Sequence, residues 1–323
     1  MSGKKVVAVV MSDFHARVKP PVCRVDNYFE TQKRKLEFIS NLAEENNAML
    51  IDAGDLFDSW RSGVPKLECM FMNTLPTRFF SIPGNHEMPG HNINLLSESS
   101  WYVLYLAGFI KAVRAGSTFV INSGGVGARI FIAGYPYSKD GAVGIVEKHR
   151  GVCDPASMKA DIKIAVYHGM VWNTRKPSAQ GVEGETIEVI LDEFKEYDVV
   201  ITGHNHETFD CKGGDTILIN PGSVMRSSMS QIHHKPCVYK LYSDLSYEKV
   251  YIPIESDVDV MNTLGYNVRD DAKADLEQLI TNLKESGISP IDFIGNLHRY
   301  LHHSDVGDDE REMIKQILEV CRE

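Results

Sequence analysis

Two histidines separated by one residue, His204 and His206, close the apolar run YDVVITGHNHE. Imidazole is the commonest metal-ligating side chain. The same device stands near the N-terminus, where VVAVVM is followed by Ser12 and then Asp13-Phe14-His15. Three further apolar runs end on donor groups: AMLIDAGD on Asp55, RFFSIPGNHE on Asn85, His86 and Glu87, and IKIAVYHG on His168. Each motif alone has an ordinary reading as a turn or as a hydrogen-bonded core histidine. Together, setting His86 and Glu87 aside, they place two Asp, one Asn and four His, with no Cys, at the ends of five apolar runs. Mixed oxygen and imidazole donors suit Mn²⁺, Fe or Zn²⁺ rather than ions that prefer thiolate. Seven donors are too many for one ion and, with one carboxylate shared, suit two.

The elements that must carry these groups follow from periodicity. In an extended chain residues i and i+2 point the same way. His204 and His206, and likewise Asp13 and His15, are therefore expected to face one site beyond a strand's carboxyl end. That is where open α/β sheets bind ligands. Helical patterns separate some of the strand-like runs. Residues 28 to 46 carry Phe29, Leu36, Ile39 and Leu42 on one face, with Asn27 and Glu30 as a capping box, and Lys33-Arg34-Lys35 reads as a solvated face. Residues 185 to 196 carry Ile187, Ile190, Leu191 and Phe194. Strands alternating with helices indicate an α/β class. CVYKLYSD and YEKVYIPI read as a hairpin. NSGGVGAR follows a strand but opens no helix, so it reads as a hairpin turn rather than a phosphate loop. From about residue 270 only helix signals remain, with stripes at Leu276, Leu279, Ile280 and Leu283 and at Met313, Ile314, Ile317 and Leu318. The expected division is a domain over 1–258 and a small helical tail over 268–323.

Composition bounds the function. The 323 residues carry a formal net charge of −10, which argues against a broad basic surface for nucleic acid. No apolar stretch approaches membrane-spanning length. The six cysteines are scattered and form no Cys-x-x-Cys pair. The N-terminal apolar run is short and lacks a cleavage-site pattern, so a reduced, cytoplasmic protein is expected.

The ordered set SDFHA, AGDLFD, PGNHE, VYHG and TGHNH resembles the motif series of calcineurin-like metallophosphoesterases, over about residues 5 to 254. That resemblance implies a two-layer β-sandwich core flanked by helices, with two divalent metal ions at one edge. It implies Asp13, His15, Asp55 and His206 on the first ion, and Asp55, Asn85, His168 and His204 on the second. It implies His86 as a catalytic group beside them, Glu87 as the residue that orients it, and attack on phosphorus by a hydroxide between the ions.

Within the superfamily, GDLF and NPGSVMRSS resemble blocks of SbcD-type DNA repair nucleases in their short, phage-like form. The usual His after GDLF is Asp58 in this chain. This branch implies an exonuclease acting on DNA, with manganese, and an SbcC-like ATPase partner. Its helical tail would serve docking or homodimerisation. The alternative is a phosphatase or small-molecule phosphodiesterase of the same fold. For DNA, the basic groups available to the backbone are Arg61, Lys66, Arg175, Lys176 and Arg226, with Trp60 and Trp172 to stack on bases, although each of these taken singly reads rather as an ordinary surface or core residue.

Overall fold

The structure, a computed structural model, describes residues 4–61, 65–113, 118–122, 128–149, 155–173, 184–256 and 260–261. The apolar runs form the strands expected of them. The first sheet is founded on β1 (Val6–Met11), β2 (Met49–Asp52), β3 (Phe79–Ser81) and β4 (Lys111–Ala112), which pair in parallel in that order. The second begins with β5 (Thr118–Asn122), β6 (Arg129–Tyr135) and β7 (Ile162–His168). The antiparallel register Thr118↔Ala133 to Asn122↔Arg129 is that of the hairpin expected around NSGGVGAR. A two-stranded ribbon of β8 (Val171–Trp172) and β9 (Glu185–Thr186) follows. β10 (Val199–Gly203), β11 (Phe209–Gly213) and β12 (Thr216–Asn220) complete the second sheet in the order β11-β12-β10-β7-β6-β5. The expected C-terminal hairpin is β13 (Cys237–Tyr242) and β14 (Tyr247–Tyr251). β13 returns antiparallel to β1 and closes the first sheet.

The sheets are fully buried where they carry the site, and each apolar face has a distinct partner. Val10, Ile51 and Phe80 of the first sheet share one core with Ile132, Ile164 and Ile201 of the second. The outer face of the first sheet, through Val9, Met11 and Leu50, packs on helices α1 (Tyr28–Glu45), α2 (Pro65–Thr74) and α3 (Ser100–Leu106), which contribute Leu36, Ile39, Phe71 and Trp101. The outer face of the second sheet packs on α4 (Gly141–His149) and α5 (Ile187–Glu193) through Ile145 and Ile190. The fold is an α/β sandwich of two mixed six-stranded sheets flanked by helices. Burial of each large side chain contributes about 1.5–3 kcal/mol before entropy is counted.

α1 starts as its sequence indicates, with the Asn27 side chain accepting from the N–H of Glu30. Lys33 and Arg34 are exposed, but Lys35 departs from the expected solvated face and is buried. At 100° per residue it falls beside Leu36 and Ile39, and its ammonium donates to the carbonyl of Val224 at 2.7 Å. α5 is shorter than the periodicity suggests, because its first residues pair as β9. The helix signals over 268–323 lie outside the described residues. Among the described residues no helix is long and apolar enough to cross a membrane.

Candidate metal centre

Every donor lies where its strand leaves the sheet. The loops after β1 and β2 are laced together: the N–H of Asp13 donates to Gly54 O at 3.0 Å, that of His15 to Asp55 O at 2.9 Å and that of Ala16 to Leu56 O at 2.9 Å. The backbone is not extended at these points. φ is 51° at Asp13, 49° at His15, 56° at Asp55 and 85° at His204. Left-handed loop geometry, and not the alternation of a strand, turns these residues toward a common point. The extended i, i+2 expectation is corrected on this count. Such conformations cost a non-glycine residue about 1–3 kcal/mol each and persist where surrounding bonds enforce them. Gly54 has φ 100°, and a Cβ there would stand 2.5 Å from Nδ1 of His168. A Cβ on Gly84 would collide with Oδ1 of Asp55.

The donor atoms form two groups. In the first, Nε2 of His15 lies 3.0 Å from Nε2 of His206, and Oδ1 of Asp13 lies 3.7 and 3.8 Å from those two atoms. In the second, Oδ1 of Asn85 lies 2.8 Å from Nδ1 of His204 and 3.1 Å from Nε2 of His168. Oδ2 of Asp55 stands between the groups, 3.3 Å from Nε2 of His168 and 3.7 Å from Nε2 of His15. His86 is adjacent, with its ring centroid 4.7 Å from that of His15. His15, Asp55 and His86 also offer ligand atoms within 4.8 Å of one another. Facing lone pairs on buried imidazoles and carboxylates are costly without a cation among them. The set fits two divalent ions sharing Asp55.

Outer contacts fix these side chains. Nδ1–H of His168 donates to Ala53 O at 2.7 Å, which leaves its Nε2 lone pair for the site. Asp13 accepts from Ser12 Oγ at 2.5 Å and from the N–H of His204 at 3.0 Å. The His204–His206 loop is held by Asn205 Nδ2 donating to Val171 O and by Asn220 Nδ2 donating to Asn205 O. The N–H of His86 donates to Asp55 Oδ1 at 3.0 Å.

Glu87 departs from the role expected of it. It is fully buried, its Oε2 accepts from the N–H of Asp55 and of Gly84, and its Oε1 accepts from the N–H of Phe57. His86 is oriented instead by Asp58, whose carbonyl accepts from Nδ1 of its ring at 2.7 Å. A glutamate carboxylate spends both oxygens on the loop beneath the site and pins the turn that carries Asp55.

The electrostatics show how protons stand in for cations. Burial holds His204 down at about 3 and His206 at about 4, each helped by a neighbouring imidazole, His168 and His15 respectively. Burial pushes His15 the same way, but Asp13, Asp55 and Asp58 outweigh it and hold the ring at about 9. Burial likewise opposes, and Asp55 and Asp13 raise, His168 to about 10. Asp55 lies well below the usual carboxylate range, because His168, His86 and His15 overcome its burial. Within each group the carboxylates thus hold one imidazole basic while burial holds the other down. Divalent ions would compete with protons for these donors.

The cations expected for DNA are differently disposed. Arg226 is buried, with Nη1 donating to Ile232 O at 3.0 Å, so it is unavailable to a phosphodiester backbone. Lys66 lies over Phe29 and Arg61 over Trp60. Arg175 and Lys176 lie outside the described residues, whereas Trp172 ends β8. Beside the first group stands Arg17, whose Nη1 is 3.3 Å from Oδ2 of Asp58. Local motif reading missed this pair, although the second acid of Gly-Asp-Leu-Phe-Asp was its signal.

The family model for calcineurin-like phosphoesterases matches residues 7–208, a span that holds all seven donors from Asp13 to His206. The chain belongs to the calcineurin-like phosphoesterase family. Comparison with curated proteins finds no match for this phosphoesterase. Solved structures similar to it include an archaeal phosphodiesterase, at 15% identity over 76% of this chain and 98% of that one, with a TM-score of 0.39. A putative 5'-nucleotidase from Staphylococcus aureus is similar at 17% identity over 84% of this chain and 58% of that one, with a TM-score of 0.48. The phosphopantetheinyl hydrolase of Mycobacterium tuberculosis is similar at 13% identity over 77% and 97%, with a TM-score of 0.43. At these values no substrate carries over to this phosphoesterase.

Proposed function

We propose that this phosphoesterase hydrolyses a phosphodiester of small-molecule or nucleotide size, with two divalent ions, manganese foremost, held between the two groups of donors. The observation that carries the reading is Oδ2 of Asp55, placed between Nε2 of His15 and Nε2 of His168. Two divalent ions supply charge to the phosphoryl oxygens and acidify a water. The chain supplies the rest. Asp13, His15 and His206 hold one side, and Asn85, His168 and His204 the other. His86, with Nδ1 fixed by Asp58 O, has Nε2 left to give a proton to the leaving oxygen.

Substrate size follows from charge. A long polyanion is held mainly by uncompensated Lys and Arg. In this chain Arg226 is buried, Arg17 is paired with Asp58, and the formal net charge is −10. An SbcD-type DNA nuclease is the second reading. It is favoured by the Trp60–Arg61 pair, with the guanidinium carbon 4.4 Å from the ring centroid, a combination that single-stranded nucleic acid binders use. In that reading residues 268–323 dock an SbcC-like ATPase or a second copy. One side-by-side assay separates the two: the Mn²⁺-loaded protein is offered an aryl phosphodiester, cyclic nucleotides, single-stranded DNA and linear duplex DNA. Turnover of the small diesters with intact DNA is expected. Degradation of DNA at comparable kcat/KM overturns the small-substrate reading in favour of the nuclease.

A further inference from the structure

We propose that Asp58 is a positioning residue for the first group of donors, and that Arg17 sets its position. The inference rests on the reading of that group as a metal site. Asp58 follows the Gly54-Asp55 turn, and its N–H donates to Ala16 O at 3.1 Å. Its main-chain carbonyl accepts from Nδ1 of His86 at 2.7 Å. Its Oδ1 stands 4.0 Å from Nδ1 of His15. Its carboxylate also meets Nη1 of Arg17, at 3.4 Å from Oδ1 and 3.3 Å from Oδ2. One residue therefore touches both rings that flank Asp55, one through its side chain and one through its main chain.

Arg17 is itself held. Its Nε donates to Lys19 O at 3.0 Å. Its N–H donates to Oε1 of Gln32, and its carbonyl accepts from Nε2 of Gln32, both at 2.9 Å. Gln32 is fully buried on α1, so the main chain of Arg17 is tied to that helix while its Nε is held by Lys19 O. The 4.0 Å separation from His15 is a charge contact and not a hydrogen bond. A carboxylate on that side of the ring still favours the Nδ1–H tautomer. It thereby keeps the Nε2 lone pair aimed at Asp13, Asp55 and His206 and raises its basicity. Arg17 competes for the same carboxylate, and so sets how closely and how strongly it acts on His15. The Asp58 side chain is 30% exposed and the Arg17 side chain 33%. A surface ion pair of that kind contributes little to stability.

The test uses the full chain carrying Asp58→Ala, Asp58→Asn, Arg17→Ala or the Arg17→Ala/Asp58→Ala double substitution. Mn²⁺ binding is measured by calorimetry, and kcat and KM with an aryl phosphodiester. Asp58→Ala is expected to weaken one of two Mn²⁺ ions by roughly tenfold to a hundredfold, the usual loss on removing an outer partner of a ligand, and to leave the other unchanged. Asp58→Asn keeps the shape, loses the charge and should fall between, which preserves the measurement if the alanine variant misfolds. The double variant should bind no worse than Asp58→Ala alone, because both changes act through one carboxylate. Wild-type affinity for both ions in Asp58→Ala and Asp58→Asn overturns the proposal, as does an additive loss in the double variant. A wild-type chain that binds no Mn²⁺ overturns the metal reading itself, and the proposal falls with it.

Discussion

Nε2 of His15 and Nε2 of His206 face each other at 3.0 Å, the His15 ring buried and the His206 ring partly exposed, with one ring held at about 9 and the other at about 4. Two ring nitrogens this close repel unless a proton or a cation lies between them. Chelation should therefore cost stability as well as activity. An ion at about a hundred times its Kd contributes about 2.7 kcal/mol. For a chain of this size, losing two such ions lowers Tm by roughly 10 °C. Differential scanning calorimetry with EDTA and with restored Mn²⁺ checks this, and an unchanged Tm with lost activity would mean that the ions bind elsewhere.

Asp55→Asn and His86→Ala should fail in opposite ways. Asp55 offers Oδ2 to both groups and Oδ1 to the N–H of His86. Its replacement should remove metal and turnover together. His86→Ala should keep two metals per chain and slow hydrolysis by on the order of 10²–10⁴-fold, the range for a general acid. Elemental analysis beside kinetics decides. Metal loss in His86→Ala would make His86 a ligand, in keeping with its closeness to His15 and Asp55.

Glu87→Gln is isosteric but turns one acceptor into a donor. Three buried N–H groups, from Asp55, Phe57 and Gly84, converge on the carboxylate, so at least one loses its partner. A buried unsatisfied amide costs about 1–3 kcal/mol. A lower Tm and weaker Mn²⁺ binding are expected together. Loss of kcat alone, with both of those unchanged, would restore Glu87 to a catalytic role.

Lys35 makes stability depend on pH. Burial, aided by Arg24 and Arg226, holds its ammonium at about 7 against an ordinary 10.5. Between those values the unfolded chain binds the proton that the folded chain has released, so this group makes stability rise with pH across the window. Below about 7 both states carry the proton and the contribution is flat. Lys35→Met should remove the rise. Urea midpoints for both proteins at pH 7 and pH 9.5 measure it, and an equal slope in the two would show that Lys35 is solvated in solution.

Much of the site is legible because its donors follow buried runs, and burial forces those runs to be β-branched and aromatic. β1, β2, β3, β7 and β10 all lie where the motifs place them. Asp13, His15 and His204 reach their positions by left-handed turns, which local periodicity does not encode. Lys35 sits in a charge run and reads as solvent-facing, yet its carbonyl partner, Val224, is distant in sequence. Glu87 misled for the same reason, because it accepts from the main-chain N–H of Asp55 and Phe57 on a distant loop, whereas the guanidinium of Arg226 folds back on the nearby carbonyl of Ile232. The return of β13 to pair with β1 is likewise a long-range choice that no local pattern announces.

The donors divide between the two sheets, and so fix when an ion is first held. Asp13, His15, Asp55 and Asn85 leave strands of the first sheet, whereas His168, His204 and His206 leave strands of the second. Each group draws on both. During synthesis the first four emerge early, with a single imidazole among them; the second group is complete only at His204 and the first only at His206. Strand β13, which closes the first sheet, comes later still. Metal capture is therefore a late event in the life of the nascent chain. A phosphoesterase stalled before that point has no assembled centre with which to attack the phosphate esters around it.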